Sequence, residues 1–208
     1  GTGDSGGNSG SSACGFKYGI SSDESGFIDS EGNYNPSRGG AIGMGGGDAG
    51  DPESAEANNS GRVSVSCASI PKNAGYTYRI GRYFTLGDYT IKAPATQNGR
   101  LNSVTAKGVP RERVMCNLLY LATNCVDPLM DWAKDNKYTV KISSGFRNNT
   151  NGSDHNFGSA VDLMFFKGGT RLRNADLSYI CKIINERLKL PFTQMIEENR
   201  RIIHLACR

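Results

Sequence analysis

Histidine is nearly absent from this chain, with two residues in 208, and tryptophan occurs once. No stretch approaches the roughly 18 consecutive apolar residues that a membrane-crossing helix needs, so no membrane span is expected. The 27 glycines show no three-residue period, which excludes a collagen-like rod. The six cysteines form no C-x-x-C pair, and none has a histidine at zinc-finger spacing. The first residues lack both a methionine and a basic segment leading into an apolar core, so a processed product or a piece of a longer chain is expected.

What is present is divided unevenly. Residues 1–60 hold 16 of the 27 glycines, with two basic and nine acidic residues, net −7. The remaining 148 residues carry 22 basic and 11 acidic groups, net +11, and nearly all the apolar runs. A glycine-rich segment so poor in large apolar groups cannot offset an ordering entropy of about 1–2 kcal/mol per residue. Residues 1–78 are therefore expected to be an acidic linker or a segment ordered by a partner, and residues 79–208 one folded unit. The glycines around Gly45 have no G-K-[ST] after them, so they do not make a phosphate-binding loop.

The folded part reads as α+β with a small antiparallel sheet flanked by helices. Pro110 suits the first position of a helix in which Val114, Leu118, Leu121 and Cys125 share one face, and Pro128 should kink it or start a second helix. YTVKISSG alternates as a half-buried strand, SAVDLMFF follows as another, and RIIHLAC closes the chain as a third. Between them NADLSYICKIINERLKL is helical, with Asn174 as its expected N-cap. RVSVSCASI has a weaker strand-like alternation. Buried free thiols are the expectation for the cysteines, with a Cys181–Cys207 disulfide left open.

Both histidines sit where a metal would use them. His155 lies in the polar loop NTNGSDHNFG, Asp162 on the apolar strand that follows, and His204 between Ile203 and Leu205. A carboxylate and an imidazole in such apolar strands need compensation, and a zinc ion bound by His155, Asp162 and His204 supplies it. Three protein ligands leave a fourth position for water, acidified toward a pKa of about 7. A nearby carboxylate is then wanted as general base and acid, and Glu197 and Glu198 are the nearest.

From about Tyr83 onward the chain resembles the zinc D-alanyl-D-alanine carboxypeptidase superfamily, which includes phage L-alanyl-D-glutamate endolysins and the hedgehog signalling domain. The resemblance is carried by FTLGDYT, by Ser144-Gly145-Phe146-Arg147 as S-G-[FY]-R, and by SDHNFGSAVD as S-x-H-x-x-G-x-A-x-D. QMIEENRRIIHLAC matches its closing strand-turn-strand, although Ile202 and Ile203 stand where the family often has a tryptophan. It implies a hedgehog/DD-peptidase-like fold, zinc on His155, Asp162 and His204, Glu198 rather than Glu197 as the base, and Arg147 holding a substrate carbonyl or carboxylate. Ser153 and Asp154 are expected to shape the loop, with Asp154 a candidate partner for a ligand histidine. The implied activity is hydrolysis of peptide bonds in bacterial peptidoglycan, by a phage tail or virion component first, then by a free endolysin or an exported bacterial carboxypeptidase. The acidic segment would join it to other virion proteins. A non-catalytic, zinc-stapled virion structural or wall-binding module is the alternative. Nucleic-acid binding is not expected, because the basic residues are scattered and no helix-turn-helix, zinc-finger or aromatic-rich strand motif occurs.

Overall fold

A computed structural model of the chain describes residues 63–92 and 100–208, with the backbone of three short strands upstream: β1 (Ser11–Ala13), β2 (Gly26–Ile28) and β3 (Tyr34–Pro36). The expected acidic linker otherwise lies outside the described residues. The remaining strands are β4 (Arg79–Ile80), β5 (Phe84–Thr85), β6 (Tyr138–Ser144), β7 (Ala160–Lys167), β8 (Thr170–Arg171), β9 (Gln194–Glu198) and β10 (Ile202–Ala206). The helices are α1 (Leu86–Tyr89), α2 (Arg111–Leu121), α3 (Asp127–Asp135) and α4 (Asn174–Leu188).

The architecture is α+β, built on a six-stranded antiparallel sheet in the order β1-β9-β10-β7-β6, with β8 hydrogen-bonded to β7. Alternation along β7 explains its one-sided core. Val161, Leu163 and Phe165 are completely buried among Leu177, Ile180 and Ile184 of α4 and the apolar side chains of α2 and α3. Trp132 of α3 stacks on Tyr138 at the start of β6, with ring centroids 5.5 Å apart.

Pro128 does not break the long helical run. Residues Ala122–Val126 widen into a π-helical turn, closed by the Asp127 amide donating to the Ala122 carbonyl, and α3 begins with proline in its first turn. The wider turn accommodates a residue with no N–H to give and a ring that crowds the preceding turn. Pro110 serves as the N-cap of α2. The N-cap of α4 is Arg173, one residue before the expected Asn174, and no side chain caps it. Asn174 instead takes φ 52° and its amide donates to the Arg200 carbonyl at 2.9 Å, fastening the helix start to the β9–β10 turn.

Two further expectations change. The alternation around residues 63–70 yields irregular backbone and a short 3₁₀ turn at Cys67–Ser69. The main chain of Val63 is claimed by the Asn124 side chain, which accepts from its amide at 2.6 Å and donates to its carbonyl at 3.0 Å. The thiols are not free: Cys67 is bonded to Cys116 and Cys125 to Cys207, with Cα separations of 5.3 and 6.5 Å. Cys181 is disulfide-bonded as well, but not to Cys207. The packed body thus begins upstream of residue 79, tied to α2 by a covalent bond.

Candidate metal centre

One row of the sheet carries the site. Ile196 on β9, His204 on β10, Asp162 on β7 and Ser144 on β6 are successive cross-strand partners. Ser144 joins this row only because the β6–β7 register shifts between Ile142 and Ser144; the bulge turns Ser144 to the Asp162 side while Ile142 stays in the core.

His155 is brought to the row by the turn Asp154–Phe157. Ser153 and Asn156 close that turn as a capping box, and Asn156 Nδ2 donates to the Arg147 carbonyl at 2.8 Å. The Arg147 amide donates in return to the His155 carbonyl at 3.0 Å, so SGFR and SDHNFG are stitched together. Gly158 ends the turn at φ 77°, where a Cβ would lie 2.8 Å from the Val114 carbonyl oxygen of α2.

The three buried side chains converge on one point. His155 Nε2 lies 3.1 Å from His204 Nδ1 and 3.2 Å from Asp162 Oδ1, and His204 Nδ1 lies 2.9 Å from Asp162 Oδ1. Tetrahedral zinc, with bonds of about 2.0–2.1 Å, places its ligand atoms about 3.3 Å apart. The donor chemistry points the same way. His155 Nδ1 is 2.8 Å from the Gly145 carbonyl, which can only accept, so Nδ1 donates there and Nε2 is left facing the Asp162 carboxylate. A proton on Nε2, completing an ion pair with Asp162, or a metal ion between the two satisfies that approach. The three residues can hold a metal ion, and the Gly145 carbonyl fixes the orientation of the His155 ring. Burial works to raise the Asp162 pKa, but its hydrogen bonds with His155 and His204 and their charges outweigh it and hold the carboxylate well below its ordinary range.

The neighbouring side chains divide into roles. Arg147 Nη2 donates to Asp162 Oδ2 at 2.7 Å and Nε to Ser144 Oγ at 2.9 Å, which fixes the carboxylate and leaves Oδ1 to the histidines. The expectation for Arg147 was a substrate carbonyl or carboxylate; its guanidinium pairs instead with the Asp162 carboxylate of the cluster. Asp154, buried beside His155, pairs with Arg208 at 3.1 Å. The two glutamates separate by strand alternation. Glu197 is buried on the helix side, accepting from Ser178 of α4, whereas Glu198 points to the site, with Oε1 4.0 Å from His204 Nδ1 and its side chain 31% exposed.

A cavity of about 140 Å³ opens on this centre, lined by Arg147, Ser153, His155, Gln194, Ile196, Glu198 and His204. Gln194, Ile196 and Glu198 form one face of β9, two residues apart. Gln194 was not anticipated, although period-two alternation from Glu198 would have found it, and Ser144 entered only as part of the S-G-[FY]-R motif, its contact with Arg147 depending on the bulge. No family model, curated protein or solved structure matches the chain.

Proposed function

We propose that the chain is a zinc-dependent peptidase that hydrolyses peptide bonds of bacterial peptidoglycan near D-amino acids, as endopeptidase or carboxypeptidase. The observation that carries this reading is the buried convergence of His155, Asp162 and His204 with a half-exposed Glu198 beside them and a cavity in front. A purely structural site has no use for that acid. The resemblance of SGFR, SDHNFGSAVD and the QMIEE–IIHLA hairpin to zinc D-alanyl-D-alanine carboxypeptidases and hedgehog-type domains supplies the substrate class.

Zinc, when bound, supplies a Lewis acid that polarises a carbonyl and acidifies water. The chain's own groups do the rest. His155 is held in one tautomer by the Gly145 carbonyl, and Asp162 is held by Arg147. Arg147, with its side chain 36% exposed, still faces the cavity and orients an oxygen of the substrate. Glu198 accepts the proton of the attacking water and returns it to the leaving amine, the two-way role of a carboxylate placed at the edge of the solvent. The cavity is too small to enclose a peptide, which suits a segment bound in extended form across β9.

A phage tail or virion setting accords with a small hydrolase carried behind a glycine-rich acidic segment. The disulfides favour work outside a reducing cytosol. The test is metal content alongside hydrolysis. About one zinc per chain is expected, lost in His155→Ala and His204→Ala, while Glu198→Ala keeps the zinc and loses about 10²–10⁴-fold in rate. A zinc-replete protein that binds walls and releases no new amine would leave the non-catalytic wall-binding module in its place.

A further inference from the structure

Gln194 lines the cavity and has no part in the chemistry assigned to its neighbours. On β9 it pairs with Ala206, and Ile196, the partner of His204, stands between it and Glu198. Gln194 and Glu198 therefore flank the metal row from opposite sides. Gln194 is only 3% exposed, and its amide oxygen Oε1 is enclosed with no hydrogen-bond partner among the described residues. A carboxamide buried in that way bears the whole cost of leaving water with nothing gained in return. Its terminal torsion is broad and roughly two-fold, so either end of the amide can turn to the cavity that the side chain lines.

The same chain shows what a buried carboxamide does with a main chain. Asn124 accepts from the Val63 amide at 2.6 Å and donates to the Val63 carbonyl at 3.0 Å, so it holds both polar groups of one residue. A peptide lying over the metal row needs such bonds from side chains, because the sheet has none to give there. β10 is paired with β9 and β7, β7 with β10 and β6, and β9 from Ile196 to Glu198 with β10 and β1. Of the other side chains lining the cavity, Ile196 is apolar and Arg147 can only donate. Ser153 is engaged with Asn156, the two histidines belong to the metal cluster, and Glu198 is the base. Among the described residues of the cavity, Gln194 is left as the group with both a donor and an acceptor to offer.

We infer that Gln194 clasps the main chain of one residue of the bound peptide, accepting from its N–H and donating to its C=O, across the metal row from Glu198. The inference rests on the peptidase reading and adds to it a residue that binds substrate without entering the bond-breaking step. Its contact is with the main chain, so it selects for a secondary amide at that position and is indifferent to the side chain and its charge. An ester in place of that amide keeps the shape and loses the N–H, which leaves the Gln194 oxygen buried and unpaired in the complex.

The probe is synthetic L-alanyl-D-glutamyl-L-lysyl-D-alanyl-D-alanine, with analogues in which each amide N–H in turn is replaced by an ester oxygen. Binding is measured on zinc-loaded Glu198→Ala and on zinc-loaded Glu198→Ala/Gln194→Met, in which a side chain of similar volume carries no amide. With Gln194 present, one ester analogue is expected to bind about tenfold more weakly than the parent peptide. With Gln194→Met that difference should vanish, because the parent peptide itself binds about tenfold more weakly. Zinc content should hold and Tm should hold or rise, since an unsatisfied buried amide has gone. A residue that only shapes the cavity would lower Tm on replacement and leave the ester penalties equal in the two proteins. Gln194→Ala takes the place of Gln194→Met if the latter does not fold, and failure of both to fold assigns Gln194 to the architecture and overturns the inference. Equal ester penalties, or no binding of the peptide, overturn it too, while wall hydrolysis by the protein with Glu198 intact keeps the peptidase reading. If the coupling to Gln194 is present and that protein hydrolyses neither peptide nor walls, the inference stands and the peptidase reading fails.

Discussion

Gly145 shows how much of the site depends on a single backbone position. Its carbonyl fixes the His155 tautomer, and a Cβ there would lie within the van der Waals sphere of the Tyr89 carbonyl oxygen, with the Tyr89 carbonyl carbon at 2.9 Å. The neighbouring Phe146 amide donates to that same oxygen at 2.7 Å, so the end of α1 and the segment after β6 cannot move apart without losing that bond. Gly145→Ala should therefore cost about 3 kcal/mol or more and lower zinc affinity together with Tm. Unchanged melting and metal content would show that the loop relaxes freely. Tyr89 offers a contrast. Its hydroxyl is buried without a hydrogen-bond partner among the described residues, and burial, then Asp127 and Asp88, raise its pKa well above the ordinary value. An acid with a raised folded pKa keeps its full contribution below the unfolded value of about 10, and stability falls as pH rises beyond it. Tyr89→Phe should leave neutral-pH stability unchanged or raise it by about 1 kcal/mol, and flatten the alkaline decline in a pH series of melts. A loss of more than that would mean the hydroxyl has a partner.

At the scale of elements, the disulfides clamp the parts that the sheet does not. Cys67–Cys116 closes a separation of 49 residues onto α2, and Cys125–Cys207 one of 82 residues between the π-helical turn and the end of β10. Loops of that length imply about 4 kcal/mol each in the chain-entropy account, with about 2–5 kcal/mol usual for native bridges. Cys125→Ser/Cys207→Ser should lower stability by that amount in denaturant melts, and an intact midpoint would contradict it. Neither pairing was legible, since six cysteines allow 15 pairings and periodicity made Cys125 a plain core residue. Regular elements were legible where one period dominates. Val114, Leu118 and Leu121 marked α2, and the alternations of YTVKISSG and SAVDLMFF marked β6 and β7 within a residue. The features that break a period were not. The β6 bulge, the π-helical turn before Pro128 and the contribution of Ser11–Ala13 to the outer edge of β9 all depend on tertiary partners. The site was legible in its residues but not in its bonds. His155, Asp162 and His204 stood out as costly groups in apolar surroundings, whereas the Arg147–Asp162 pair and the opposite facing of Glu197 and Glu198 required the register.

Across the whole molecule, charge and topology serve the same end. The sheet buries one face against helices and carries the His155–Asp162–His204 cluster on the other, and the carboxy-terminal 148 residues carry the net +11. Association with an anionic wall should weaken steadily as salt rises through the range where the Debye length falls from about 10 to 3 Å. Salt-independent wall binding would contradict a role for this charge. The central claim, that this centre cuts peptide bonds of the cell wall, is met most directly by mass spectrometry of fragments released from purified walls by the wild type and by Glu198→Ala, both loaded with zinc. Paired new amino and carboxyl termini from the wild type, absent with the variant, are the predicted result. Fragments of equal yield from both proteins, or none from either, would contradict it.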